Sequence, residues 1–233
     1  MFKKNPILKY ESSIKEYQDS IIPSKKVIPD WYKKIPQWKN NIFFDIKTGT
    51  NPTVKQCLPF LDSLTVGYVI TLPYDIFIKN DNGYPMLVWS SGADNPPLIR
   101  NSVADINIVP AGHHPIEFVW DVNVAYTFPK GYSAIFTHPL NRHDLPFTTL
   151  SGIIDGGLVV TAHGNAPFYI KEGFEGIIQQ GTPIAQLIPF RQEKWKSKKT
   201  PGLVEIGTSH AKKASIVFGG WYKKTFWVRK SYE

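Results

Sequence analysis

The chain has 233 residues, 42% of them hydrophobic, which is enough for one sizeable core, or for a main domain plus a small appendage. Its net charge of +8 suits anionic partners such as nucleic acid, nucleotides or an anionic surface, or serves solubility alone. The lone cysteine, Cys57, excludes a disulfide framework within the chain and a cysteine-based zinc site.

The N-terminal MFKKNPILKYESS lacks an apolar stretch of signal-peptide length, and no run approaches a membrane span. A cytosolic location without a membrane partner is therefore expected. Residues 1–50 are basic, aromatic and proline-spaced, and read as an N-terminal arm. IPDWYKKIPQWKN sets Trp31, Tyr32 and Trp38 among lysines, with Pro29 and Pro36 preventing a long helix. These aromatics either dock onto a protein body, their own or a neighbour's, or form a surface for single-stranded nucleic acid.

Residues 51–195 read as a β-rich core domain. Its first segment, NPTVKQCLPFLDSL, predicts a short helix with Pro52 in the first turn and a kink or end at Pro59. The apolar setting of Cys57 predicts a buried structural thiol. GYVITLPYDIFIKNDNG alternates Tyr68, Ile70 and Leu72, resumes at Ile76 and Ile78, and turns at Asp81-Asn82-Gly83 into a return strand, YPMLVWSS. Two or three strands follow in residues 104–140, with more in SGIIDGGLVVTAHG and the run from Asn165 to Lys196, spaced as in a sandwich or barrel. In GTPIAQLIPFR, Gly181 and Pro183 set a turn, while Ile184, Leu187 and Ile188 make a buried strand that carries one amide, Gln186. KWKSKKTPG is a basic exit loop. Residues 196–233 form a basic, aromatic C-terminal segment that includes Trp221, Tyr222 and Trp227.

The strings GIIDGGL (152–158) and GTPIAQLI (181–188), in that order, resemble the trimeric dUTPase and dCTP deaminase superfamily. The wider chain resembles a family of uncharacterised proteins of bacteriophages and large algal viruses. That likeness is carried by IPDWYKKIP, TVKQCLPFLDSLTVGYVITLP, GYSAIFTHPLNRHDLPFTTLSGIIDGG and GTPIAQLIPFRQEKWK. The first resemblance implies a mainly β fold, a distorted barrel or sandwich of the dUTPase-like β-clip type, here with aromatic and basic arms at both ends. It also implies that Asp155 matches the water-activating acid and Gln186 an amide beside the substrate phosphates, with Mg²⁺ bridging those phosphates. A structural bond from Gln186 to neighbouring backbone is the alternative.

Departures from the dUTPase pattern are specific. The sugar-screening Tyr corresponds to Gly157 or Leu158, HPLNRHDLPF replaces the Ser-Gly phosphate loop, and the Gly-rich lid is reduced to Gly219-Gly220 and an aromatic. In that replacement loop, Arg142 and His143, with His138 and Asp144, form an anion-binding candidate; the competing reading pairs Arg142 with Asp144. His113, His114, His138, His143 and His163 raise a two-His, one-carboxylate iron site, although His114 and Glu117 are three apart and His143 and Asp144 adjacent.

The expectation is a viral accessory or structural protein that uses the fold as a non-enzymatic assembly or binding module. It would have no cofactor, would sit in the host cytoplasm or the virion, and would form a homo-oligomer, a trimer by family likeness. Other viral proteins and nucleic acid are further partners. A divergent nucleotide-binding or nucleotide-hydrolysing enzyme that requires Mg²⁺, and a β-barrel metalloenzyme, are the alternatives.

Overall fold

The computed structural model describes residues 5–40, 50–89, 98–99, 109–121, 124–161, 166–216 and 220–233. Contacts divide the chain into two compact units. One joins Met1–Val27, Gly67–Gln192 and Glu233; the other joins Ile28–Val66 and Glu193–Tyr232.

In chain order, β1 (Lys9–Glu11) and β2 (Ile21–Pro23) precede α1 (Asp30–Lys34), β3 (Trp38–Asn40), β4 (Thr50–Pro52) and α2 (Leu58–Thr65). Then come β5 (Tyr68–Thr71), β6 (Ile76–Asp81), β7 (Tyr84–Trp89), β8 (Leu98–Ile99), β9 (Phe118–Trp120) and β10 (Ala125–Thr127). They are followed by β11 (Tyr132–Thr137), β12 (Phe147–Thr149), β13 (Gly152–Asp155), β14 (Val160–Thr161) and β15 (Ala166–Ile170). The last strands are β16 (Gly176–Ile178) and β17 (Pro183–Arg191), and the helices α3 (Leu203–Ile216) and α4 (Trp221–Thr225) complete the chain.

The first unit is mainly β, and every pairing among its described residues is antiparallel. A five-stranded sheet runs β13-β11-β17-β5-β2 and a four-stranded sheet β12-β15-β9-β8. Two three-stranded sheets, β1-β10-β14 and β16-β6-β7, complete the unit among the described residues. All four orders are open, so among the described residues the architecture is a distorted sandwich and not a closed barrel.

The apolar pattern explains why β17 and β5 are central. Ile184, Ala185 and Leu187 of β17 are buried, as are Val69 and Ile70 of β5, so both strands lose their side chains to the interior on both faces. The pairing register shifts between Pro183 and Ala185, where proline cannot donate to the ladder. Between the sheets, Trp120 stacks on Phe168 at a ring separation of 3.6 Å, with Phe147 edge-on to Trp120 at 5.0 Å. The indole Nε1 donates to Thr149 Oγ1 (3.1 Å), and that hydroxyl donates to the carbonyl of Ile184 (2.6 Å), tying β12 and β9 to β17 through polar groups that burial would otherwise leave unpaired. Ile76 and Ile78 point into the same core, and Asn82 and Gly83, at φ of 53° and 89°, close the β6–β7 hairpin in the primed-turn geometry that Asn-Gly predicts.

Among the described residues, the second unit contains β3, β4 and the α-helices α1 to α4. Its helices correct two expectations. The predicted helix over 51–64 begins only at Leu58, after a separate 3₁₀ turn at Val54–Gln56, because Pro59 falls in the first helical turn, where its missing N–H costs nothing. Cys57 lies at the junction between turn and helix and is exposed, not buried. Helix α3 has no counterpart in the composition-based reading of residues 196–233. The part of the expected strands within 104–108, the end of YPMLVWSS, His163 and Gly219 lie outside the described residues.

Gly67 has φ of 71°, and a Cβ there would collide with the carbonyl oxygen of Leu187. Gly83 has the same handedness but open space around it. Gly83→Ala is therefore expected to cost about 1 kcal/mol from backbone strain alone. Gly67→Ala adds a steric clash and should cost about 2 kcal/mol or more. Urea unfolding midpoints of the two variants compare the costs directly.

Candidate functional site

Asp155 ends β13, opposite Ser133 of β11. The chain then reverses through Gly156, whose N–H donates to the Tyr132 carbonyl (2.8 Å), and Gly157, whose N–H donates to the Phe128 carbonyl (2.8 Å). A Cβ at Gly156 would press into the carbonyl oxygens of Pro129 and Tyr132, so only glycine fits. Gly157 has φ of 88° and Leu158 is exposed, so neither supplies an aromatic wall above the acid.

The carboxylate of Asp155 is exposed but fixed. Ser133 Oγ donates to Asp155 Oδ1 at 2.7 Å, and Gln192 Nε2 donates both to Ser133 Oγ (2.8 Å) and to the same Oδ1 (3.2 Å). Ser133 itself is buried. Ser133 and Gln192 were not singled out from the sequence. Only the register that sets β11 between β13 and β17 brings them to Asp155. The arrangement orients one carboxylate and leaves its second oxygen able to accept from a bound water, which is the chemistry of a general base without a paired nucleophile.

Gln186 is 2% exposed, and its Oε1 accepts from the backbone N–H of Leu140 at 2.8 Å. The amide thus anchors the loop that carries Arg142 and His143. Within that loop, the Arg142 guanidinium grips the Asp144 carboxylate, Nε to Oδ1 at 2.9 Å and one terminal nitrogen to Oδ2 at 2.9 Å. His143 is exposed, and its carbonyl accepts from Lys171 Nζ (2.6 Å). Gln186 pairs with Thr137, whereas Phe190 pairs with Ser133 in the Asp155 row. Four strand residues separate the two rows, about 13 Å along the sheet. Asp155 and the loop carrying Arg142 and His143 are thus set apart.

His138 is held in one tautomer. Its Nδ1 accepts from the Thr149 N–H (3.3 Å), so Nε2 carries the proton and donates to the Arg142 carbonyl (3.1 Å). Burial pushes its pKa below the ordinary 6.5, outweighing the opposite pull of the bond to Arg142. With both ring nitrogens engaged, His138 has none to offer a metal. Among the described residues, no three His, Cys, Asp or Glu converge as a metal cage. Asp155 alone does not make a protein site for Mg²⁺, which takes one or two carboxylates together with substrate phosphates.

The named aromatics of both arms belong to the second unit. Tyr32 is buried, stacked on Phe60 at 5.8 Å with Trp31 edge-on, and Lys55 Nζ sits 4.4 Å above its ring. Trp227 Nε1 donates to Asp62 Oδ2 (3.0 Å), and Trp221 meets Phe226 and His210 at 5.2 and 5.3 Å. Trp38 and Tyr222 remain exposed.

Two measurements check this geometry. Gln186→Leu strands the Leu140 N–H, and is expected to cost about 1–3 kcal/mol in urea unfolding. Because the folded state keeps His138 neutral, the unfolded state binds the extra proton as pH falls through 6.5. Stability carried by this group is therefore complete above pH 6.5 and declines as the pH drops toward the lower folded-state value. His138→Gln should lower the melting temperature at neutral pH, yet lose less of it on acidification than the parent chain.

No protein-family model and no curated protein matches this chain. Among solved structures it is similar to phage dUTPases. A mutant dUTPase from phage phi11 of S. aureus, described for its coordination of a structural Mg(II) ion, aligns at 13% identity over 84% of this chain and 97% of that one, with a TM-score of 0.34. A mutant dUTPase of Staphylococcus bacteriophage 80alpha with dUpNHpp aligns at 15% identity over 84% and 88%, with a TM-score of 0.34. Another 80alpha dUTPase mutant, from work on phage dUTPases that control transfer of virulence genes, aligns at 12% identity over 84% and 96%, with a TM-score of 0.33.

Proposed function

We propose that the protein is a non-enzymatic assembly and binding module, a viral accessory or structural protein that works in the host cytoplasm or the virion as a homo-oligomer. The observation that carries this reading is an apolar face on the sheet β16-β6-β7. Phe77 pairs across the sheet with Val88 and with Ile177, and Met86 and Tyr84 continue the same face along β7. All five side chains are exposed, Ile177 by 57% and Tyr84 by 60%. A cleft of about 420 Å³ opens beside them, lined in part by Tyr74, Phe77, Val88, Trp89 and Ile177. A contiguous apolar face of this kind is the mark of a surface that another protein covers. A second copy of the chain is the occupant we favour, since Lys79 and Asp81 follow Phe77 along the same face of β6 and offer charges of both signs to an identical face.

The second reading, a nucleotide site, rests on Asp155 as fixed by Ser133 and Gln192. There the acid would orient water, with Mg²⁺ arriving on the phosphates.

Light scattering separates the two. The assembly reading expects a discrete oligomer that Phe77→Asp with Ile177→Asp reduces to the 26.5 kDa chain. It also expects no thermal shift with deoxynucleoside triphosphates and Mg²⁺. A nucleotide-dependent shift that Asp155→Asn abolishes would overturn it in favour of the second reading.

A further inference from the structure

The formal charge is divided unevenly between the two units. Residues 28–66 and 193–232 carry fifteen Lys and Arg against five Asp and Glu, a net +10. Residues 1–27, 67–192 and 233 carry twelve against fourteen, a net −2. The formal positive charge of the chain is therefore concentrated in the second unit.

Within that unit, two acids are already committed: Asp30 to Lys33, and Asp62 to Lys230 and Trp227. Residues 193–200 form no helix or strand, and every one of them is exposed. Trp195 stands there at 86% exposure, the highest of any large apolar side chain among the described residues. Lys194, Lys196, Lys198 and Lys199 surround it in sequence, and none of their side chains has a hydrogen-bond or ion-pair partner among the described residues. Trp195 differs in this from Tyr32, Trp221 and Trp227, each of which packs on another ring or bonds a carboxylate.

We infer that residues 193–200 bind single-stranded nucleic acid, with Trp195 stacking on a base and the four lysines neutralising phosphates. The two halves of that chemistry sit side by side: an aromatic face open to stacking and unpaired ammonium groups for the backbone. A duplex keeps its bases stacked on one another and has no free base face for the indole, which favours a single strand. A membrane surface would call for an apolar stripe, and in this stretch Trp195 is the one large apolar side chain. The inference is independent of the sheet face in the other unit.

The test uses the full chain and fluorescein-labelled oligothymidylate, with anisotropy read between about 50 and 200 mM salt. Binding is expected with a log–log salt slope near −3, about 0.7 for each of four neutralised phosphates. Trp195→Ala should weaken binding about tenfold or more while leaving the slope unchanged. Changing the four lysines to Gln should flatten the slope instead. All five positions are exposed, so the variants should keep the parent's circular dichroism and melting temperature. Absence of binding at the lowest salt overturns the inference. Equal binding to duplex and single strand, unaffected by Trp195→Ala, overturns it in favour of unspecific charge attraction. Binding to phosphatidylserine vesicles but not to the oligonucleotide assigns the segment to lipid. An oligomer dissolved by Trp195→Ala, with no oligonucleotide bound, assigns Trp195 to a second copy of the chain.

Discussion

The hydroxyl of Thr149 accepts from an indole and donates to a main-chain carbonyl inside an apolar core, and it ties the four-stranded sheet to β17. Ile184 is in the strand whose backbone must pair with β11 on one side and β5 on the other. Its carbonyl falls where the ladder shifts register, so a side chain supplies the donor. Two residues on, the buried amide of Gln186 does the complementary thing, accepting the N–H of a loop residue. A buried amide or carbonyl left without a partner costs about 1–3 kcal/mol. The four-stranded sheet and the 138–146 loop are thus both referenced to one strand, and an apolar core gains positional specificity from a few polar contacts.

The same economy bears on function. Polar residues that a family likeness would assign to phosphate chemistry are engaged with protein partners here. Arg142 has its carboxylate, Gln186 its loop, and His138 a donor and an acceptor. Asp155 differs in being held by two donors yet open on one side. By contrast, the exposed surface among the described residues includes an apolar face on one sheet and a cationic stretch on one irregular segment.

Much of the first unit was legible because short-range physics dictated it. Asn82-Gly83 specifies a tight hairpin whatever surrounds it, Ile76 and Ile78 alternate as one buried face requires, and the apolar run after Gly181 reads as a buried strand. The parts that were not legible depend on partners remote in sequence. Ser133 and Gln192 reach Asp155 only through strand register. Cys57 looked buried because its neighbours are apolar, but a capping position turns it outward. Helix α3 hid behind a composition noted for its charge. The division into units was obscured because the second one is assembled from two stretches that the first one separates.

That discontinuity has a consequence for how the chain comes into being. The first half of the second unit is complete in sequence at Val66, but its other half starts at Glu193, after the whole intervening stretch from Gly67 to Gln192. At ordinary synthesis rates of about 5–20 residues per second, residues 28–66 wait on the order of ten seconds for their counterpart. During that interval Trp31, Tyr32 and Phe60 can bury one another, whereas Asp62 has neither Trp227 nor Lys230. The sandwich can condense first, and the basic unit is the last part of the protein able to exist.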